Sequence, residues 1–205
     1  MRKTQLAIKQ MVDIVGSMIG LIVLSPLFLI IAVAIKLDSE GPVFFKQERL
    51  GKDGRVFRII KFRTMVVNAE QLGAGVHLGK DDDRITKVGR FLRKYSLDEL
   101  PQLINVARGE MSLVGPRPLL PRFPKTYDEY TRDERLRFIM KPGMSGLAQV
   151  NGRGSLSWEE KFIYDARYVR EYSLRLDCKI LMKTVSCIIR PKGIYKDESG
   201  NEYEH

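Results

Sequence analysis

Between Ile14 and Ile35 the chain carries no charged side chain, and Pro26 stands near the middle of that run. As a straight helix the run would be about 33 Å long, enough for a hydrocarbon core of about 30 Å. A cleaved leader fits poorly, because the run is long and no small-x-small site precedes Lys36. Pro26 removes one helical hydrogen bond and crowds the preceding turn. Ser25 can cap a fresh start there or re-satisfy a freed backbone group. The flanks give no orientation. Arg2, Lys3 and Lys9 precede the run, and Lys36, Lys46, Arg49, Lys52 and Arg55 follow it. Positive charge marks the cytoplasmic side, and here both ends claim it. A re-entrant helix–break–helix satisfies both flanks; a kinked spanning helix satisfies one. Residue physics leaves the two level.

The remaining length suits one modest domain, and the formal net charge of +10 asks for an anionic partner. Nucleic acid is a poor candidate. No helix-turn-helix, RNA-recognition or zinc module is evident, and the basic residues flank carboxylates rather than aromatics. Cys178 and Cys187 form no metal-binding spacing and read as reduced, buried thiols. His77 and His205 lie far apart, which argues against a histidine-based metal site or triad.

Gly41-Pro42 ends the apolar segment. Residues 43–47 and 56–60 read as two strands around a Gly51-Lys52-Asp53-Gly54 turn, a β-hairpin rich in Lys and Arg. Such a basic face is either simply solvated or in contact with anionic headgroups or substrate phosphates. Residues 66–83 read as a mobile loop. Its Asp81-Asp82-Asp83 run is read as a solvated acidic stretch, with metal binding the alternative. Helical patterns follow at 85–95, 97–108, 126–139, 157–171 and 174–190. Ser157 and Glu160 have capping-box form, as do Ser96 and Glu99. The last helix is amphipathic, for core packing or interfacial membrane contact.

The chemistry concentrates around Asp98-Glu99, which follow Arg84, Lys87, Arg90, Arg93 and Lys94. Taken alone, two acids in a first helical turn are a helix cap. Yet a carboxylate can also be a nucleophile, and a neighbouring one can hold Mg²⁺, which takes one or two carboxylates plus substrate phosphates. Arg117 stands between Pro116 and Pro118, which fix the backbone of a guanidinium suited to bidentate phosphate binding. Residues 142–153 form a glycine-rich loop with Gln149, Asn151 and Arg153. Such a loop is usually a turn, and can place N–H groups against a diphosphate or a base.

Taken in order, five elements resemble the bacterial sugar transferases known as monotopic phosphoglycosyl transferases. They are the apolar segment with Ser25-Pro26, Lys61-Phe62-Arg63-Thr64-Met65, Ser96-Leu97-Asp98-Glu99-Leu100-Pro101-Gln102, Val114-Gly115-Pro116-Arg117-Pro118, and Pro142-Gly143 through Asn151-Gly152-Arg153. The resemblance implies an α+β, predominantly α protein. It would have a re-entrant membrane helix at 1–36, a cytoplasmic catalytic domain at 37–190 with a small hairpin and amphipathic interfacial helices, and a polar tail at 191–205. It further implies an enzyme of the bacterial inner membrane that moves a sugar phosphate from a UDP-sugar to undecaprenyl phosphate in glycoconjugate synthesis. Asp98 would be the nucleophile and Glu99 the Mg²⁺ ligand. Arg117 would hold phosphate, with Lys61, Arg63 and Arg90 nearby, and Gln149, Asn151 and Arg153 would bind the nucleotide. A homo-oligomer is left open. Gly143-Met144-Ser145 and Gly154-Ser155-Leu156 depart from the more usual pattern, which leaves sugar identity open. A non-catalytic subunit of a glycan assembly complex would lack one of the two acids; both are present.

Overall fold

The structure is a computed structural model that describes residues 3–69, 82–152 and 154–189. Helix α1 spans Lys3–Asp38. It continues through Pro26, where the sequence reading offers a break into two helices. The reason lies one residue earlier. Ser25 Oγ donates to the Ile22 carbonyl at 2.8 Å, the acceptor that an N–H at position 26 would have served. The orphaned carbonyl is satisfied within the turn, and the helix has no need to end. α1 is also long and apolar enough to cross a membrane.

One face of α1 lies along the rest of the protein. Lys9, Asp13, Ser17, Ile31 and Ile35 are buried on it. Near its start, Lys9 Nζ meets Asp177 Oδ2 at 2.7 Å, and Tyr168 donates to the same carboxylate at 2.7 Å. Asp13 accepts from Ser112 Oγ at 2.7 Å and from the Leu113 amide at 3.0 Å. Farther on, Ile31 and Ile35 pack with Phe62 and Leu92. At its end, Asp38 accepts the Val88 amide at 2.9 Å. The opposite face exposes Ile22, Val23, Leu29 and Ile30 by 66–70% each, apolar surface that water penalises.

Strands β1 (Phe44–Leu50) and β2 (Val56–Phe62) form the expected antiparallel hairpin, in register from Phe44↔Phe62 to Leu50↔Val56. Gly54, at φ 74°, supplies the left-handed backbone of its turn. A second, parallel pair joins β3 (Ser112–Val114) to β4 (Gly143–Ser145). A Cβ on Gly143 would lie 2.0 Å from the Gly115 nitrogen, so only glycine allows this approach. Three-residue strands carry too little alternation to be read from sequence, and the expected loop at 142–153 contains β4 and the short helix α4 (Leu147–Asn151).

The other helices are α2 (Lys87–Lys94), α3 (Gln102–Ala107), α5 (Trp158–Arg170) and α6 (Leu174–Ile189). The Ser157–Glu160 capping box of α5 forms as expected. Three helical expectations need correction. The 97–108 pattern divides into a 3-10 turn, Leu97–Glu99, and α3. Ser96 does not cap it: its backbone is left-handed at φ 56° and its side chain makes no cap bond. The 126–139 pattern resolves into two 3-10 segments, Tyr127–Glu129 and Glu134–Ile139. Here Tyr130 and Phe138 turn inward to pack with Leu50, Leu119 and Phe162, and tertiary packing overrides helical continuity. The cysteines are free as expected but not buried. Cys178 is exposed and Cys187 half-buried, on a helix that turns Ile180 inward and leaves Met182, Val185 and Ile189 exposed. The described residues are mostly helical with two small sheets, consistent with an α+β, predominantly α fold.

Candidate active site

Helix α2 delivers the dyad. Its last turn closes with Ser96 donating its amide to the Arg93 carbonyl at 3.1 Å. The left-handed step at Ser96 then reverses the chain into the 3-10 turn that carries Asp98 and Glu99. A left-handed non-glycine residue is uncommon and marks a constrained position. Pro101 opens α3 without needing a donor.

The two acids face different surroundings. Asp98 is buried, at 8% exposure. Burial pushes its carboxyl up to about 6, against the pull of Lys61 and with added repulsion from Glu99; Arg93 and Arg117 pull down more weakly. Burial also works against an ionised Glu99, but Arg117 and Lys61 outweigh it and hold Glu99 well below the usual carboxylate range. The contacts explain why. Glu99 Oε1 accepts from Lys61 Nζ at 2.7 Å and from Arg117 Nη2 at 2.6 Å, and Oε2 accepts from Arg117 Nη1 at 3.3 Å. Arg117 is half exposed, so water screens part of its pairing. Lys61, from the last residues of β2, is largely covered. Neighbouring carboxylates with their pKa values driven apart are the arrangement from which distinct chemical roles arise.

The other expected site residues divide. Lys61 and Arg117 meet the dyad directly. Arg63 does not: it donates to the carbonyls of Ser39 (2.8 Å) and Glu40, strapping the exit of α1. Arg90 lies on the exposed side of α2. Gln149 sits on α4 with its amide nitrogen and oxygen buried and unpartnered. Asn151 donates to the Leu147 carbonyl at 2.7 Å and accepts from Lys183 at 3.3 Å. Among the described residues no hydrogen bond joins Gln149 or Asn151 to the dyad. Arg153 and Asp81 lie outside the described residues, as does the expected tail. Asp82 is taken by Arg84, at 2.6 Å.

Three residues went unassigned in the sequence. Arg93, fixed to Thr64 Oγ1 at 2.9 Å, adds its charge at Asp98. It belongs to the basic run before the dyad, so its signal was present. Arg137 and Asp165 pair at 2.9 Å with side chains only 2–3% exposed, and Arg137 reaches the Arg117 carbonyl. Their separation in sequence leaves no local signal.

The site thus sets a buried carboxylate of raised basicity beside a second one fixed by two cations. The chain belongs to the bacterial sugar transferase family, which it matches over residues 4–191. A UDP-galactose-lipid carrier transferase of Erwinia amylovora is 40% identical over 202 residues, covering 92% of this chain and 42% of that protein. A UDP-glucose:undecaprenyl-phosphate glucose-1-phosphate transferase of Klebsiella pneumoniae is 45% identical over 182 residues, 86% of this chain and 39% of the relative. This chain thus spans about two fifths of either. It matches 90% of the uncharacterized sugar transferase EpsL of Bacillus subtilis, at 43% identity over 187 residues and 91% of its own length.

Proposed function

We propose that the protein is a phosphoglycosyl transferase that moves a sugar phosphate from a UDP-sugar to undecaprenyl phosphate, the first membrane step of a bacterial glycoconjugate. The observation that carries this reading is the divided dyad: Asp98 buried and basic, Glu99 clamped by Lys61 and Arg117. The activities for which the Erwinia and Klebsiella relatives are named point the same way.

In this mechanism an Asp98 oxygen attacks the phosphorus that bears the sugar. A phosphorus–oxygen bond forms to Asp98, the bond to the departing phosphate breaks, and UMP leaves with that electron pair. A phosphate oxygen of undecaprenyl phosphate then attacks the same phosphorus, the aspartyl bond breaks, and Asp98 is regenerated beside a polyprenyl diphosphate sugar. Lys61 and Arg117 orient Glu99, while Arg117 and Arg93 oppose the negative charge that develops. Mg²⁺ suits the donor set. Glu99 offers hard carboxylate oxygens next to the nucleophile, and Mg²⁺ takes one or two carboxylates and completes its shell with substrate phosphates and water. Glu99 would hold it, sharing its oxygens with Lys61 and Arg117, and the ion would supply charge neutralisation at the diphosphate.

For topology, the reading is a re-entrant α1 in the cytoplasmic face of the inner membrane, one continuous helix turned back by a bend at Ser25-Pro26 rather than by a break. Residues 1–36 would be embedded, 37–190 catalytic with interfacial amphipathic helices, and 191–205 a tail. Support comes from the two ends of α1. Lys9 is tied to Asp177 and Asp38 to Val88 of the same domain, whereas a helix crossing the bilayer would part them.

The test is UMP release in lipid vesicles containing undecaprenyl phosphate and Mg²⁺, across a panel of UDP-sugars. Wild type releases UMP from at least one sugar. Asp98→Asn loses activity on the order of 10³-fold or more, as expected for loss of a nucleophile. Without acceptor, wild type carries a phosphosugar on Asp98 detectable by mass spectrometry. Near-normal turnover by Asp98→Asn would overturn the assignment.

A further inference from the structure

The segment Pro116–Leu119 is held by four consecutive carbonyls, each bonded to a different donor. Pro116 O accepts the Gly143 amide at 2.9 Å. Arg117 O accepts Arg137 Nη2 at 2.6 Å. Pro118 O accepts Arg49 Nη1 at 3.3 Å, and Leu119 O accepts the Leu50 amide at 2.8 Å. The two prolines have no N–H to offer, so the carbonyls are the natural points at which this backbone can be fixed. Fixing matters most at Arg117. Its side chain is 48% exposed, too open for packing to hold it. Beyond its two bonds to Glu99, its aim depends on the backbone beneath it.

Arg137 is unlike the other three donors. It is 4% exposed, its Nη2 also lies 2.9 Å from Asp165 Oδ2, and its guanidinium carbon stands 5.2 Å from the centre of the Phe162 ring and 5.7 Å from that of Phe138. A buried ion pair is weak evidence for stability. This one leaves Arg137 Nη1 and Asp165 Oδ1 without partners, so it is poorly optimised as a stabilising contact. The hydrogen bond it makes outside the pair goes to Arg117. We infer that Arg137, braced by Asp165 from α5, is a positioning residue that sets the Arg117 guanidinium against Glu99. This inference rests on the phosphoglycosyl transfer reading for its effect on turnover.

The experiment uses the full chain in lipid nanodiscs with the pair replaced as a unit, Arg137→Met/Asp165→Leu, which avoids stranding one buried charge. Combined with Arg117→Ala, it closes a cycle on kcat/KM for UMP release. Arg117→Ala alone is expected to cost about 100-fold, and the pair variant about 10- to 100-fold. The combination should fall no more than about threefold below Arg117→Ala, because residues acting through one another are not additive. A contribution that is only structural would multiply with Arg117→Ala instead, and that result overturns the inference. A second readout needs no activity. In the pair variant the Leu50 and Gly143 amides, which donate to this segment, should exchange hydrogen about tenfold faster. The Ile60 amide, bonded to Asn105 at 3.0 Å, should not change. Unaltered exchange at Leu50 and Gly143 overturns the inference equally. If wild type releases no UMP from any UDP-sugar, the transferase reading fails, and amide exchange still decides the positioning of Arg117.

Discussion

Lys61 Nζ lies 2.7 Å from Glu99 Oε1, joining the end of the β-hairpin to the turn that carries the dyad. Arg117 approaches the same carboxylate from the opposite side of the sequence. Glu99 is thus the point where β2, the 3-10 turn and the Pro-Arg-Pro segment converge, and Asp98 is left as the acid that burial keeps basic.

Lys61→Met should lower UMP release by about 100-fold, the scale of removing one preorganised charge from an active site. Arg117 alone would then hold Glu99 from a half-exposed position. Steady-state UMP release checks this, and a loss under about threefold would show that Lys61 is dispensable.

The pH profile should follow Asp98. Its carboxyl is raised to about 6, mainly by burial, and only the carboxylate attacks phosphorus. Activity should therefore be half-maximal near pH 6 and fall about tenfold per unit below it. Stability should run the other way. A carboxyl whose folded pKa exceeds its unfolded value favours folding below the unfolded pKa, about 4, and loses that contribution as pH rises through the folded pKa. Asp98→Asn should therefore be more stable than wild type at pH 7.5, on the order of 2 kcal/mol, measured by denaturant unfolding. An inactive and less stable variant would contradict the burial argument.

Lys9→Met should destabilise the protein by about 3–5 kcal/mol, because it leaves Asp177 and Asp13 buried without their cation. Lys9→Met/Asp177→Leu should recover most of that loss. Thermal unfolding in nanodiscs compares the two, and equal midpoints for the single and double variants would refute the pairing argument.

Chelation should abolish UMP release, with recovery on adding Mg²⁺, and move the thermal midpoint little. In the proposed mechanism the ion would be held by Glu99 together with the substrate diphosphate rather than by a protein cage. A large fall in the midpoint on chelation would instead indicate a structural metal.

In a background lacking Cys178 and Cys187, single cysteines near Arg2 and Lys46 should both react with an impermeant thiol reagent only from the cytoplasmic side. Reaction of either from the outside would mean that α1 spans the bilayer.

Local patterns were legible where local contacts decide the outcome. Ser157 and Glu160 form the capping box their spacing suggests, through two bonds made within the helix's own first turn. Ser96 and Glu99 have the same spacing and form none. Glu99 is claimed by Lys61, 38 residues away, and Arg117, 18 away, and those charge-assisted bonds outweigh a cap. The dyad and Arg117 were readable from motifs, while Arg137 and Asp165 were not, since only the packing of α5 on the Glu134–Ile139 segment brings them together. Arg63 shows the reverse: its motif neighbours Lys61, yet it straps α1.

In sequence, residues 1–36 read as a membrane segment set apart from the catalytic domain; the contacts of α1 tie it into that domain. Cutting it away to obtain a water-soluble enzyme would uncover Phe62 and Leu92 and take the cation from Asp177 and the acceptor from Ser112. One greasy surface would be exchanged for another, so solubilisation is better sought by repainting the outward residues of α1, such as Ile22, Val23, Leu29 and Ile30, than by truncation.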